Sequence, residues 1–443
     1  MTKRAIDLAF APWMDSMAIA PQILVGYSGG LDSTLLLHLL CQQIDPSLIT
    51  AVHINHGLSV DADHWQQSTA SVCERLGVNF YTQKVQVKTS GQGVEAAARE
   101  QRYLVFEELI KPGGILFLAH HADDQAETVL YRLLRGSGPK GLSAMSSCRP
   151  IGSGTLIRPF LSWSKSQLVE HAKQLKLKWI EDESNQDNSF DRNFLRNNIL
   201  PVIAQRCPDY TQSLQKSAEL CNHSEQLAVE VASCDLSDLE QREEHGGISI
   251  ALEKFKTLPV LRQRNTLRHW SLNGESVLPG HKIIEEVLQS VVDARDDSVP
   301  EVVWQSLCWT RYQGRLYLLR VQDKNFDRQL QMQWSMQGPL SLGGSSVLDF
   351  KKVTGCGLKA DIGPIEVRYR QGGERCKPDD RTHSNSLKKL FQEYAVPPWW
   401  RDKIPLLYVE NTLVAVADLW VCDGWSAATD ELGLKIIWRV QAQ

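Results

Sequence analysis

The chain has no two cysteines close enough to form C-x-x-C, although it carries 10 cysteines in 443 residues. That spacing excludes zinc ribbons, dithiol redox motifs and compact iron–sulfur ligation. Such cysteines are expected to be reduced, mostly buried thiols of a cytosolic protein. No uncharged apolar run reaches about 18 residues, so no membrane span is expected. Lys3 and Arg4 precede an apolar run that Asp7 interrupts, which makes a poor secretory signal. The expected location is therefore cytoplasmic. No G-x-x-x-x-G-K-S/T occurs, which excludes a P-loop kinase or GTPase. Internal repeats and low-complexity tracts are absent. An excess of positive charge is absent too: 48 Lys and Arg stand against 52 Asp and Glu, for a net charge of −4. No global basic field advertises a nucleic-acid partner.

What is present is a soluble, globular composition with 42 % apolar residues. A chain of this length is too long for one core, and about two to four domains are expected. The first 150 residues alternate strand and helix signals. Strands are expected at Ile23–Tyr27, Ile49–Asn55, Phe80–Val87 and Ile115–His120, with helices at Leu31–Leu40, Asp61–Gly77 and Val94–Ile110. Ala126, Val129, Leu130, Leu133 and Leu134 then fall at i, i+3, i+4, i+7 and i+8, an apolar stripe for docking on a sheet. This alternation implies an α/β fold with a doubly wound parallel sheet, which binds ligands at the C-terminal ends of its strands.

Beyond about residue 163, helices dominate, including Ser164–Leu175 and Asn193–Arg206, and residues 210–330 read as mainly helical. A glycine-rich break (Gly338, Gly343, Gly344) precedes strand-like runs at Ile365–Tyr369, Leu406–Val409 and Thr412–Val416, with a helix at Leu387–Tyr394. The expected organisation is a catalytic α/β domain over 1–205, a helical domain over 206–335 and a small α+β domain over 336–443.

Ser28-Gly29-Gly30-Leu31-Asp32-Ser33 follows the first strand and opens a helix. Gly29 and Gly30 allow positive φ and let backbone N–H groups approach an anion. Ser28 and Ser33 add hydroxyls, and the helix start adds partial positive charge. Asp32 would repel a phosphate unless a cation intervenes, so it predicts Mg²⁺.

The hexapeptide resembles the SGGxDS motif of the PP-loop, or N-type, ATP pyrophosphatases. The resemblance implies an adenine nucleotide α-hydrolase-like fold, ATP as cosubstrate, transfer of AMP to a substrate oxygen, and release of pyrophosphate. Further segments narrow the resemblance: Val52 to Leu58, Gly93 to Tyr103, Leu118 to Thr128, Arg132 to Gly138, and the set Asp182, Ser184, Asn185, Asp187, Arg192, Asn193 and Arg196. Together with Arg370 to Arg375 and Leu387 to Gln392 near the C-terminus, they resemble the tRNA(Ile)-lysidine synthase family. One departure is Ser59, which stands where a basic residue is common.

That resemblance implies adenylation of the C2 oxygen of the wobble cytidine in a CAU-anticodon isoleucine tRNA. Attack by free L-lysine would follow, giving lysidine. It implies ATP contacts from Ser28, Gly29, Gly30, Leu31, Asp32, Ser33, His53, Asn55 and His120, with Asp32 on Mg²⁺. Asp32, Asp123, Asp124 and Arg192 are the catalytic candidates. Arg99, Glu127, Asn193 and Arg196 are candidates for holding lysine or cytidine. The amine of lysine, with an ordinary pKa near 10.4, must lose a proton before attack, and Asp123, Asp124 and Glu127 are the carboxylates placed to accept it.

Adjacent histidines on a strand point to opposite faces, so His120 and His121 are not expected to share one ion. Hydrogen bonding or packing is the expected use of these two and of His53 and His56. From Glu366 to Lys403, nine Lys or Arg face six Asp or Glu, with Trp399 and Trp400 among them. Arg370, Arg375, Lys388, Lys389 and Arg401 are the tRNA-binding candidates there, by resemblance and because basic residues between aromatics suit a phosphate backbone. Pro397-Pro398-Trp399-Trp400 reads equally as a packed corner. A homodimer is left open. Two other readings remain: a tRNA thiolase, which would need catalytic cysteines beyond Cys148, and a non-catalytic tRNA-binding protein, which would not need an intact phosphate loop.

Overall fold

A computed structural model of the chain describes residues 9–57, 59, 61–86, 94–181, 187–272, 278–295, 298–321, 326–343 and 346–440, with the Glu95 side chain outside that description. Lys3, Arg4, Asp7, Leu58, Gly93, Asp182, Ser184, Asn185 and Gly344, all used above, lie outside the described residues. The chain forms two compact units, Met1–Gln226 and Leu227–Gln443.

The first unit is built on six strands: β1 (Ile23–Gly26), β2 (Ile49–Asn55), β3 (Asn79–Lys84), β4 (Ile115–Phe117), β5 (Cys148–Ile151) and β6 (Gly154–Ile157), in the order β3-β2-β1-β4-β6-β5. The first five in that order are mutually parallel, and β5 pairs antiparallel with β6 at the edge. The chain leaves β1 toward β2 and β3, then returns to place β4 on the other side. That reversal is the switch point at which doubly wound sheets bind ligands.

Helices cover both faces. α1 (Leu31–Gln43) and α5 (Lys165–Gln174) pack on one face, where Leu35, Leu36, Leu39 and Leu168 meet Ile23, Val25 and Phe117. α3 (Val94–Leu109) covers the other, where Phe106 and Ile110 meet Leu24, Val52 and Leu116. Each such fully buried side chain contributes about 1.5–3 kcal/mol of transfer free energy. α2 (Ala62–Leu76) ends at Gly77 in the left-handed conformation, the stop expected from the sequence.

α4 (Ala122–Leu134) departs from its stripe. Ala126 and Val129 are buried, but Leu133 and Leu134 are 53 % and 70 % exposed. Gln125, Glu127 and Thr128 are buried instead. The inward face of this helix carries polar groups of the site described below, so apolar periodicity misplaced it.

The second unit corrects the mainly helical reading of 210–330. Helices Leu252–Thr257, Val260–Trp270 and His281–Val287 pack on a five-stranded antiparallel sheet, β7 (Arg242–Glu244), β8 (Gly247–Ala251), β9 (Glu301–Trp304), β10 (Leu307–Tyr312) and β11 (Arg315–Arg320). Trp270, Phe255 and Trp309 fill that core. Five- and four-stranded sheets follow within residues 331–440, and Leu406–Val409 and Thr412–Val416 are adjacent antiparallel strands. Helix Leu387–Glu393 packs among them through Leu387, Leu390 and Phe391. Cys376 and Cys422 are paired, and Cys207, Cys234 and Cys356 are exposed, so the cysteines are neither all reduced nor mostly buried.

Candidate functional site

β1 delivers the chain to the phosphate loop. Gly29 has φ +85°, and a Cβ there would lie 2.7 Å from Thr69 Cγ2 and 2.8 Å from Ile180 Cδ1. Only glycine fits this turn. The Ser28 and Ser33 hydroxyls are 3.0 Å apart, Ser33 Oγ accepts from Ser28 N–H, and Thr34 donates to Gly29 O at 3.1 Å. The loop is thus locked from within. Gly30 caps α1 without a side chain, so the first-turn N–H groups of α1 face outward with partial positive charge.

Asp32, in the first turn of α1, accepts two hydrogen bonds from Lys165 Nζ, at 2.7 and 2.8 Å. The sequence reading missed Lys165, which lies 133 positions away. It stands at the first position of α5, just after Ser164, whose hydroxyl accepts from Gln167 N–H. A cation there opposes the helix dipole, and this misplaced charge is the signal that could have marked it.

His121 Nε2 lies 3.7 Å from Asp32 and 3.4 Å from Asp124, and its Nδ1 lies 3.6 Å from Asp123. Burial pulls its pKa down, but the three carboxylates outweigh burial and raise it above the ordinary histidine value. Asp123 is held below the ordinary carboxylate value: burial opposes this, while His121 and the Lys165 backbone N–H, 2.7 Å away, stabilise its charge. Glu127 is buried, and burial raises its pKa even though Arg196 grips it with Nε at 2.5 Å and a second nitrogen at 2.9 Å. Arg196 also reaches Asp124 at 3.3 Å. It sits in the π-helical turn Leu195–Ile199, just before Pro201, whose missing N–H and ring widen the turn.

These groups line one cavity of about 240 Å³, with Leu200, Pro201, Ala204 and Tyr210 as the rest of its wall. Of the sequence candidates, Asp32, Asp123, Asp124, Glu127 and Arg196 meet here. His53, Asn55, His120, Arg99, Arg192 and Asn193 do not line it. His53 Nδ1 meets Tyr27 O at 3.0 Å, and burial lowers its pKa. Asn55 donates to Asp63 at 2.8 Å and accepts from Gly57 N–H at 2.9 Å, which ties the end of β2 to α2. Asn193 donates to Asp187 O at 2.9 Å, and the Arg192 guanidinium lies 6.0 Å from the Tyr131 ring. Ser59 Oγ accepts from Asp61 N–H.

The strand expected over Ile115–His120 ends at Phe117, and His120 and His121 lie in the turn that leads into α4, where they face different partners. His120 Nδ1 accepts from Arg158 Nε at 3.2 Å. Burial, then the charges of Arg158, Arg99 and Arg102, push its pKa well below the ordinary value. One imidazole therefore faces carboxylates and its neighbour faces arginines.

The donor set of the cavity fits Mg²⁺. It offers hard carboxylate oxygens, and Mg²⁺ takes one or two of these and completes its shell with phosphate and water. Asp32 and Asp124 converge on the same side of His121. Lys165 is the resident cation at Asp32.

In the second unit, Lys388 and Lys389 are exposed on their helix, and Arg375 is exposed with a bond to Ser384 O at 3.0 Å. Arg370 pairs with Glu374 and Asp402, and Arg401 donates to Val396 O at 2.9 Å. Trp400 is buried against Trp438, and Trp399 packs edge-on against Tyr317 and Tyr312. Pro397 to Trp400 is a packed corner, and its indoles do not form an open stacking platform.

Family models for a PP-loop domain, a TilS substrate binding domain and a TilS substrate C-terminal domain match residues 3–203, 251–317 and 365–438. The tRNA(Ile)-lysidine synthase of Coxiella burnetii is 36 % identical over 431 residues, 95 % of this chain and 92 % of that protein. The chain belongs to the tRNA(Ile)-lysidine synthase family. The lysidine synthase of Proteus mirabilis is 35 % identical over 425 residues, 94 % of this chain and 95 % of that protein. Among solved structures, the U34-tRNA thiolase NcsA of Methanococcus maripaludis is 17 % identical with a TM-score of 0.39, covering 49 % of this chain and 80 % of that one. Among the described residues, no helix is long and apolar enough to cross a membrane.

Proposed function

We propose that the chain uses ATP to adenylate the C2 oxygen of the wobble cytidine in a CAU-anticodon isoleucine tRNA, and then joins L-lysine to C2. The observation that carries this reading is the shared cavity. The phosphate-loop carboxylate Asp32 and the acid group Asp123, Asp124 and Glu127 line one space of about 240 Å³. A phosphate site and an amine site so close suit a reaction in which an amine displaces a phosphate-activated oxygen.

In the first step the cytidine O2 attacks the α-phosphorus of ATP, the bond from that phosphorus to the β-bridging oxygen breaks, and pyrophosphate leaves. The α1 N-terminus and the serine hydroxyls hold the departing phosphates. Mg²⁺, held by Asp32 with Asp124 beside it, would neutralise charge on the phosphates. In the second step the lysine Nζ attacks C2, the C2–O bond breaks, and AMP leaves. Carboxylates outnumber cations in the cavity, so it favours an ammonium group. Glu127 is held by Arg196, which also reaches Asp124, and this leaves Asp123 better placed to take the proton. Arg192 and Asn193 act from outside the cavity, on the RNA side. His53 and Asn55 shape the end of β2 that faces ATP. In the second unit, Arg375, Lys388 and Lys389 are the open contacts for RNA, with Arg370 and Arg401 supporting them. The division into domains at 1–205, 206–335 and 336–443 and a cytoplasmic location are part of the same proposal.

Incubation of the chain with ATP, the tRNA and labelled lysine tests it. Lysine incorporation with AMP and pyrophosphate as products supports the reading. Release of ADP and orthophosphate, or incorporation without ATP, overturns it.

A further inference from the structure

On the His120 side of the sheet lies a cluster that this reaction scheme does not use. The Tyr103 ring is held between two guanidiniums, Arg99 at 5.1 Å and Arg149 at 5.0 Å from its centre. Its hydroxyl accepts from Arg158 at 3.3 Å and from Arg99 at 3.4 Å. Arg158 is only 3 % exposed, and its other donors go to Ser146 O and to His120. Among the described side chains, none of Arg99, Arg149 and Arg158 meets a carboxylate. Three like charges around one ring, one of them buried, repel each other, and no described side chain offers them a counter-ion. An anion completes such a site, and a planar guanidinium fork suits phosphate.

We propose that Arg99 and Arg149, arranged around Tyr103 with the buried Arg158 behind it, bind a phosphodiester of the substrate RNA strand close to the reacting nucleotide. The inference rests on the proposed function, which supplies the RNA. Two observations select RNA over the other anions. First, the cluster does not line the cavity of Asp32 and Glu127, so neither the ATP tail at the phosphate loop nor a lysine seated among the carboxylates reaches it. Second, the positive charge continues beyond the size of one small anion. The Arg135 and Arg192 guanidiniums lie 4.4 and 6.0 Å from the Tyr131 ring, with Asp191 3.9 Å from Arg135 as a partial counter-charge. Successive arginines beside aromatic rings fit a strand of phosphates with bases to stack. Arg192, a catalytic candidate by resemblance, belongs to this band.

The test is RNA binding by the full chain, using an anticodon stem-loop with the CAU anticodon, across salt from about 50 to 200 mM. Arg99→Gln with Arg149→Gln removes two contacts. The slope of log affinity against log salt should become shallower by about 0.7, the value for one single-strand phosphate neutralised. Arg149→Gln alone should make part of that change, and Arg149→Lys should keep the wild-type slope. ATP affinity should stay unchanged in every variant. An unchanged slope in the double variant overturns the inference. A raised KM for lysine with normal RNA binding, or weakened ATP binding, overturns it in favour of a carboxylate or triphosphate site. The Arg149→Gln variant covers the case in which the double variant fails to fold. If the wild-type chain itself neither binds the RNA nor incorporates lysine, the proposed function falls, and this inference falls with it.

Discussion

Replacing Arg196 by methionine isolates the strongest electrostatic contact of the cavity. Glu127 is 2 % exposed, and both its oxygens accept from Arg196. Removing one partner of a buried pair costs about 3–5 kcal/mol, because a bare charge is left behind. The Arg196 side chain is 41 % exposed, so water can enter the vacated space and reduce this to about 2 kcal/mol. The loss should depend on pH. Burial already raises the pKa of Glu127 above its ordinary value of 4.5, and loss of Arg196 raises it further. A carboxyl whose folded pKa is raised contributes stability that is complete below its unfolded pKa and is lost as pH rises through the folded pKa. Arg196→Met should therefore be nearly as stable as wild type at about pH 4.5, and weakest at about pH 8. For a unit of this size, about 2 kcal/mol corresponds to a fall of about 4–8 °C in Tm. Calorimetry at both pH values, with Glu127→Gln and the double variant, closes the cycle and should give a coupling of about 2 kcal/mol. If Arg196→Met costs as much in the Glu127→Gln background as in wild type, or costs nothing at alkaline pH, the pair does not carry the energy assigned to it.

Asp32→Ala should abolish pyrophosphate release in the presence of RNA and ATP while RNA affinity stays within about twofold, since it removes one carboxylate far from the basic band. Gly29→Ala forces a side chain into a left-handed turn against Thr69 and Ile180, at a cost of about 1–3 kcal/mol, and titration calorimetry should show ATP affinity lowered at least about tenfold. Lys388→Ala with Lys389→Ala should weaken RNA binding and lower the salt slope by about 1.4–1.8, read from the same salt series.

The phosphate loop was legible because its signal is local. A strand, two glycines and a helix start are all encoded within a dozen residues. Leu406–Val409 and Thr412–Val416 were legible as short apolar runs beside a turn. The middle sheet was not, because its central strands are buried on both faces. Leu307–Tyr312 is buried at five of six positions, so no alternation shows. The hairpin between β10 and β11 did leave a mark, Gln313-Gly314, both with positive φ as a tight primed turn demands. Lys165 and Arg158 were illegible for another reason. Their partners lie on other elements, 133 and 38 positions away, and only the fold brings them together. The burial of Gln125 and Glu127 was hidden by the opposite error, since a helix that buries polar groups for chemistry does not obey an apolar stripe.

The back-to-back placement of His120 and His121 has a consequence for how this protein can change. A single peptide unit, in the turn between β4 and α4, separates a side chain set among carboxylates from one set among arginines. Substitutions around Tyr103 can retune one chamber without touching the other. A one-residue insertion or deletion between Phe117 and Ala122 would instead pull His121 out of its capping box with Asp124 and shift His120 with it. Point changes here are modular, whereas length changes act on both compartments at once.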